Sequence, residues 1–109
     1  MMNLKMDGFD WDEGNRKKCQ KHGVSLAEIE ALLTGNHRVA PDLSHSTAED
    51  RYIAIGRTRG GRPVFVAFTF RIEGHRRLLR PITARYMHVK EIKSYEENES
   101  SKDENRQGG

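Results

Sequence analysis

Two periodicities divide the chain. Up to Gly35 the apolar side chains recur at helical spacing, and beyond it they alternate as in a strand. The clearest helix follows Ser25. Ser25-Leu26-Ala27-Glu28 is a capping box, with the serine at the cap and the glutamate three residues on. Leu26, Ile29 and Leu33 then share one face at i, i+3 and i+7, with Leu32 beside them, and Gly35 supplies a stop. A shorter, basic helix is expected over residues 12–20, with Asp10 or Asp12 at its cap and Gly23 ending it in a left-handed conformation. Trp11 reads as the core anchor for the start of that helix.

In the second half, Val64, Val66, Phe68, Phe70 and Ile72 line one face of the strongest strand. Residues 51–57 and 78–85 read as further strands, with Ile82 and Ala84 inward on the latter. Arg59-Gly60-Gly61-Arg62-Pro63 and Gly74 are turn signals. The stretch from Val39 to Leu43, broken by Pro41, is at best a short edge strand. Val89, Ile92 and Tyr95 suit a short closing helix. Connections this short join antiparallel neighbours. The expected fold is therefore α+β: two N-terminal helices, a three- to four-stranded antiparallel sheet and a C-terminal helix.

Length and composition narrow the function. A chain of 109 residues has room for one core, expected over residues 1–95. A two-domain dinucleotide enzyme and a large barrel are excluded. Residues 96–109 contain no apolar side chain and are expected to form a disordered acidic tail. Cys19 is the only cysteine, so no internal disulfide forms. The first twelve residues lack the apolar stretch of a secretory leader, and the longest apolar run is Val64-Phe65-Val66-Ala67-Phe68. A bilayer span takes about 20 residues. A cytoplasmic protein that does not enter a membrane is expected.

Charge then sharpens the reading. The chain carries +3 overall, but residues 51–95 carry +9, while residues 1–50 and 96–109 each carry −3. Nine of the eleven basic residues in the central segment are arginines, and only Glu73 and Glu91 oppose them there. A solvated surface is the plain reading. The excess points beyond it, to an outside polyanion or an acidic protein partner, because the guanidinium fork suits phosphate. Strand parity places Arg71 and Arg85 off the core, as a pair on one exposed sheet face. Arg51 opens a strand behind Glu49-Asp50, where an internal ion pair competes. Tyr86 should point away from Arg85.

There is no glycine-rich phosphate loop. Cys19 and His22 at i and i+3 are two of the four ligands a zinc site needs, so no metal and no cofactor are expected. His22, His45 in the Ser44-His45-Ser46-Thr47 stretch, and His88 are the histidines placed to move protons.

Several short signatures then coincide. Phe9-Asp10-Trp11-Asp12, Lys21-His22-Gly23-Val24-Ser25, His45-Ser46, Glu49-Asp50-Arg51, Pro81-Ile82-Thr83-Ala84-Arg85 and the segment from Glu91 to Tyr95 together resemble the BrnT toxin family. The resemblance implies a RelE-like α+β fold and a ribonuclease that inhibits translation. It also implies a BrnA-like antitoxin with a ribbon-helix-helix domain, whose complex with the toxin binds operator DNA. The family's common Ser-Ala-Arg is here Thr83-Ala84-Arg85.

The combined expectation is a metal-independent endoribonuclease. RNA brings its own nucleophile, the 2′-hydroxyl, so the protein has to orient a phosphate, stabilise its added charge and move protons. Arg71 and Arg85 are the expected phosphate contacts, supported by Arg51. Lys21 or His22 is the expected proton-transfer group. His45, Arg80 and Tyr86 are expected RNA contacts, with His45 second in line for proton transfer and Tyr86 placed to stack on a base. The alternative is a non-catalytic partner protein whose basic face holds an acidic antitoxin segment or nucleic acid.

Overall fold

The computed structural model describes residues 5–35, 37–41 and 50–94. Two capping boxes start the first two helices. Helix α1 (Glu13–Gln20) is capped by Asp12, whose carboxylate accepts the Asn15 N–H at 2.9 Å while Asn15 Oδ1 accepts the Asp12 N–H at 2.7 Å. Helix α2 (Leu26–Thr34) begins at Ser25 with the reciprocal pair to Glu28, at 3.1 and 3.0 Å. Between the helices Gly23 takes φ +91°, the left-handed conformation its position called for. Gly35 stops α2 for a different reason. Its φ is −113°, and an added Cβ would lie 2.9 Å from the Ala31 carbonyl oxygen.

The sheet is larger than the sequence pattern indicates. Its order is β1 (Gly8–Phe9), β5 (Arg76–Tyr86), β4 (Pro63–Glu73), β3 (Tyr52–Arg57) and β2 (His37–Pro41). The last four are antiparallel, but β1 runs parallel to β5 through Gly8 opposite Leu78 and Phe9 opposite Leu79. The α+β class stands, and the expected three- to four-stranded antiparallel sheet is corrected to five strands of mixed direction among the described residues. A two-residue strand has no period to read, and only tertiary pairing creates it. The edge strand is present as β2, with Pro41 at its end.

Helices α1 and α2 cover one face of the sheet. Val64, Val66, Phe68, Leu79, Ala84 and Ala54 pack there against Cys19, Val24, Ile29, Leu32 and Leu33. Trp11 packs at the margin of this core, and its Nε1–H donates to Glu30 Oε2 at 2.9 Å. Ile72, expected inward, is 68% exposed. The inward row ends at Phe70, whose ring is already capped by the Arg77 guanidinium 3.7 Å from its centroid. On the opposite face, Ile55 and Met87 bury with Ile92 of a third helix, α3 (residues 89–94), with Ile53 and Phe65 alongside. Val89 of that helix is 54% exposed rather than packed. Leu43, His45, Tyr95 and the 96–109 tail lie outside the described residues.

One irregularity governs the site. The β4–β5 register shifts between Ala67 and Phe68: Ala67 pairs with Thr83 but Phe68 with Pro81, leaving Ile82 as an extra residue. Ala84 is fully buried as expected, whereas Ile82 is only half-buried at this bulge. Pro81 has no N–H for the ladder, which makes this the natural place to break register. Parity reverses across the bulge, so Arg80 and Arg85, five residues apart, emerge on the same face.

Candidate functional site

The face of the sheet turned away from α1 and α2 carries Arg71, Arg80 and Arg85. Arg80 stands opposite Thr69 and Arg85 opposite Phe65, while Arg71 is on the same row of β4. Arg51, one residue before β3, continues the row of Ile53 and Ile55 and is half-buried. Next to it the Thr69 hydroxyl donates to the Asp50 carbonyl. The pairing of Arg71 and Arg85 on one face agrees with strand parity.

Each of the three is also held by a carboxylate. Asp10 Oδ2 bridges Arg71 Nη1 at 3.3 Å and Arg80 Nη1 at 3.2 Å. Asp12 Oδ2 takes Arg80 Nη2 at 2.7 Å while its other oxygen caps α1. The Asn15 N–H, and then Arg80, hold the Asp12 carboxyl below its usual range. Arg85 donates through Nη1 and Nη2 to the two oxygens of Glu91, at 3.3 and 3.2 Å, and its guanidinium lies 4.7 Å from the Phe65 ring centroid. Arg85 first, and then the His88 N–H at 3.1 Å, keep Glu91 ionised below the usual range.

These pairs correct the expectation that the central arginines find no anion within the chain. The charge sum by segments does not contain the parallel β1–β5 pairing, which brings Asp10 and Asp12, the residues that follow β1, alongside β5. The groups remain open to an incoming anion, since the Arg71 and Arg85 side chains are 53% and 43% exposed.

Lys21 and His22 do not join this face. They sit in the exposed connection between α1 and α2, on the helix-covered side. Tyr86 is there too, pointing away from Arg85 as expected. Its hydroxyl donates to Glu28 Oε1 at 2.8 Å and lies 3.4 Å from the Gly23 carbonyl oxygen, while the Arg62 guanidinium stacks 3.4 Å above its ring. The expected single centre of Lys21, His22, Arg51, Arg71 and Arg85 is therefore two groups on opposite sides of the sheet. Helix α1 crosses over the face that the arginines avoid, which carries its C-terminal end away from them. The stacking role expected of Tyr86 meets a ring that Arg62 already covers.

Asp10 and Asp12 are the members of the site that the charge pattern left out, and Glu91, counted there as opposing the arginines, was not paired with Arg85. The spacing of His88 and Glu91, three apart at a helix start, was the available signal for the last. Cys19 and His22 also part company: His22 is exposed, and Cys19 is fully buried with its thiol pushed up to about 11 by that burial. Among the described residues, no group of three or more His, Cys, Asp or Glu side chains comes together.

The fold and this face define a small α+β protein with carboxylate-held, partly exposed guanidinium groups on one side of its sheet. The family model described as "Ribonuclease toxin, BrnT, of type II toxin-antitoxin system" matches residues 11–91, from the tryptophan before α1 to the glutamate that holds Arg85. The chain belongs to this toxin family. No curated protein matches it. None of the helices among the described residues is long and apolar enough to cross a membrane.

Proposed function

We propose that the chain is a cytoplasmic endoribonuclease toxin that cuts RNA on the arginine face without a metal. The observation that carries this reading is the convergence of Arg71, Arg80 and Arg85 on one partly exposed sheet face, each oriented by a carboxylate. In the reaction the RNA 2′-hydroxyl gives up its proton to solvent water and attacks the adjacent phosphorus, and the bond to the 5′-oxygen breaks as that oxygen takes a proton from water. A 2′,3′-cyclic phosphate and a 5′-hydroxyl result. Negative charge grows on the phosphoryl oxygens in the transition state, where pre-aimed guanidinium donors are most effective. Arg71, Arg80 and Arg85 supply those donors, and Arg51 supports them from the neighbouring row. Lys21 and His22 fall outside the reacting centre.

Family membership supports the rest of the reading: a BrnA-like ribbon-helix-helix antitoxin neutralises the chain, and their complex engages operator DNA. The purified chain should cleave RNA in EDTA, and Arg85→Ala should abolish the cleavage. Salt-sensitive RNA binding with no turnover would instead establish the non-catalytic partner protein.

A further inference from the structure

We propose that Glu91 is the positioning residue of the site, and that helix α3 exists on this face to deliver it to Arg85. This rests on the reading of Arg85 as a phosphate contact. Arg85 sits near the end of β5, where a long side chain on an open sheet has many rotamers available. Two groups remove that freedom. Phe65 lies beneath the guanidinium at 4.7 Å, and Glu91 grips two of its nitrogens at 3.3 and 3.2 Å. A fork matched to a carboxylate is fixed in plane as well as in distance.

Glu91 is fixed in turn. Its Oε1 accepts the His88 N–H at 3.1 Å, the reach-back half of a capping box at the start of α3. One residue on, Ile92 is 2% exposed and packs with Ile55 and Met87, which moors the helix to the sheet. The chain of support runs from Ile92 to α3, from α3 to Glu91, and from Glu91 to the guanidinium. With both its oxygens engaged on Arg85 and ionised below the usual range, Glu91 is a poor proton acceptor at neutral pH. Its part is to aim Arg85 so that the outward N–H groups meet the phosphate.

The test compares the full chain with Glu91→Gln and Arg85→Ala in RNA cleavage. It also follows the Arg85 side-chain resonances by NMR. Glutamine keeps the size of Glu91 but loses the charge and one of the two acceptors. The expected result is a fall in kcat of about tenfold to a hundredfold with KM little changed, the scale of a misplaced catalytic group. The Arg85 guanidinium signals should collapse to those of a rotating side chain. If glutamine unfolds the chain, Glu91→Asp carries the test: the charge stays, the carboxylate retreats by one methylene, and kcat should again fall. Normal kcat in Glu91→Gln beside an inactive Arg85→Ala would overturn this inference and leave the proposed function standing. Full cleavage by Arg85→Ala would overturn the reading of the site itself.

Discussion

Asn15 shows how much of the site hangs on one side chain. It is 6% exposed, and its amide donates to the Asp10 and Pro81 carbonyls, both at 2.9 Å, while its Oδ1 completes the cap on α1. It thus joins the helix start, Asp10 just beyond β1 and the bulge that sets the side on which Arg80 emerges. Asn15→Ala leaves two carbonyls without their donor, so it should cost about 2–3 kcal/mol in chemical denaturation. It should also lower RNA cleavage, because Asp10 and Arg80 lose their common reference. Arg71 and Arg85 were legible in the sequence, since strand parity alone puts them on one face. Arg80 was not legible in that way. Its side depends on an extra residue at Ile82, which no alternation of apolar and polar positions reveals. Asp10 and Asp12 escaped for a related reason, being distant in sequence and brought near only by pairing.

At the scale of elements, local chemistry decided what could be read in advance. The Ser25–Glu28 capping box, an aspartate cap on α1, the Gly23 turn and the β4–β5 hairpin follow from short-range rules, and each is present, the α1 cap being Asp12 in a box with Asn15 that the pattern did not announce. The parallel β1 and the exposure of Ile72 depend on what packs where, which a one-dimensional pattern does not encode. The two-sided sheet makes a separable prediction. Gly23 lies at φ +91° on the helix-covered side, so Gly23→Ala should lower stability by about 1 kcal/mol. Cleavage by the folded fraction should stay at the wild-type level. A loss of activity beyond the unfolded fraction would mean that the α1–α2 connection reaches the chemistry after all.

The whole molecule combines a basic face with carboxylates that its own folding stabilises. Asp12, Glu28 and Glu91 are held below their usual range, by the Asn15 N–H and Arg80, by the Ser25 N–H and the Tyr86 hydroxyl, and by Arg85 and the His88 N–H. A carboxylate with a depressed folded-state pKa stabilises the fold at pH above its unfolded value, and that stability disappears as pH falls through the folded value. Urea midpoints should therefore hold steady from pH 7 to about 5 and decline below it. A variant with Asp12→Asn, Glu28→Gln and Glu91→Gln together should show a lower plateau and a flatter acid limb. RNA affinity should fall with salt on the logarithmic scale with a slope of about −2, the value for three phosphate contacts on a single strand.

The most direct measurement sets the two sides of the sheet against each other. RNA cleavage in EDTA is followed for Arg71→Ala and Arg85→Ala beside Lys21→Ala and His22→Ala, with folding checked for each. Losses confined to the arginine pair, with Lys21→Ala and His22→Ala cutting at the wild-type rate, are the predicted result. Activity lost at Lys21 or His22 and retained at both arginines would place the chemistry beside the helices and contradict the account.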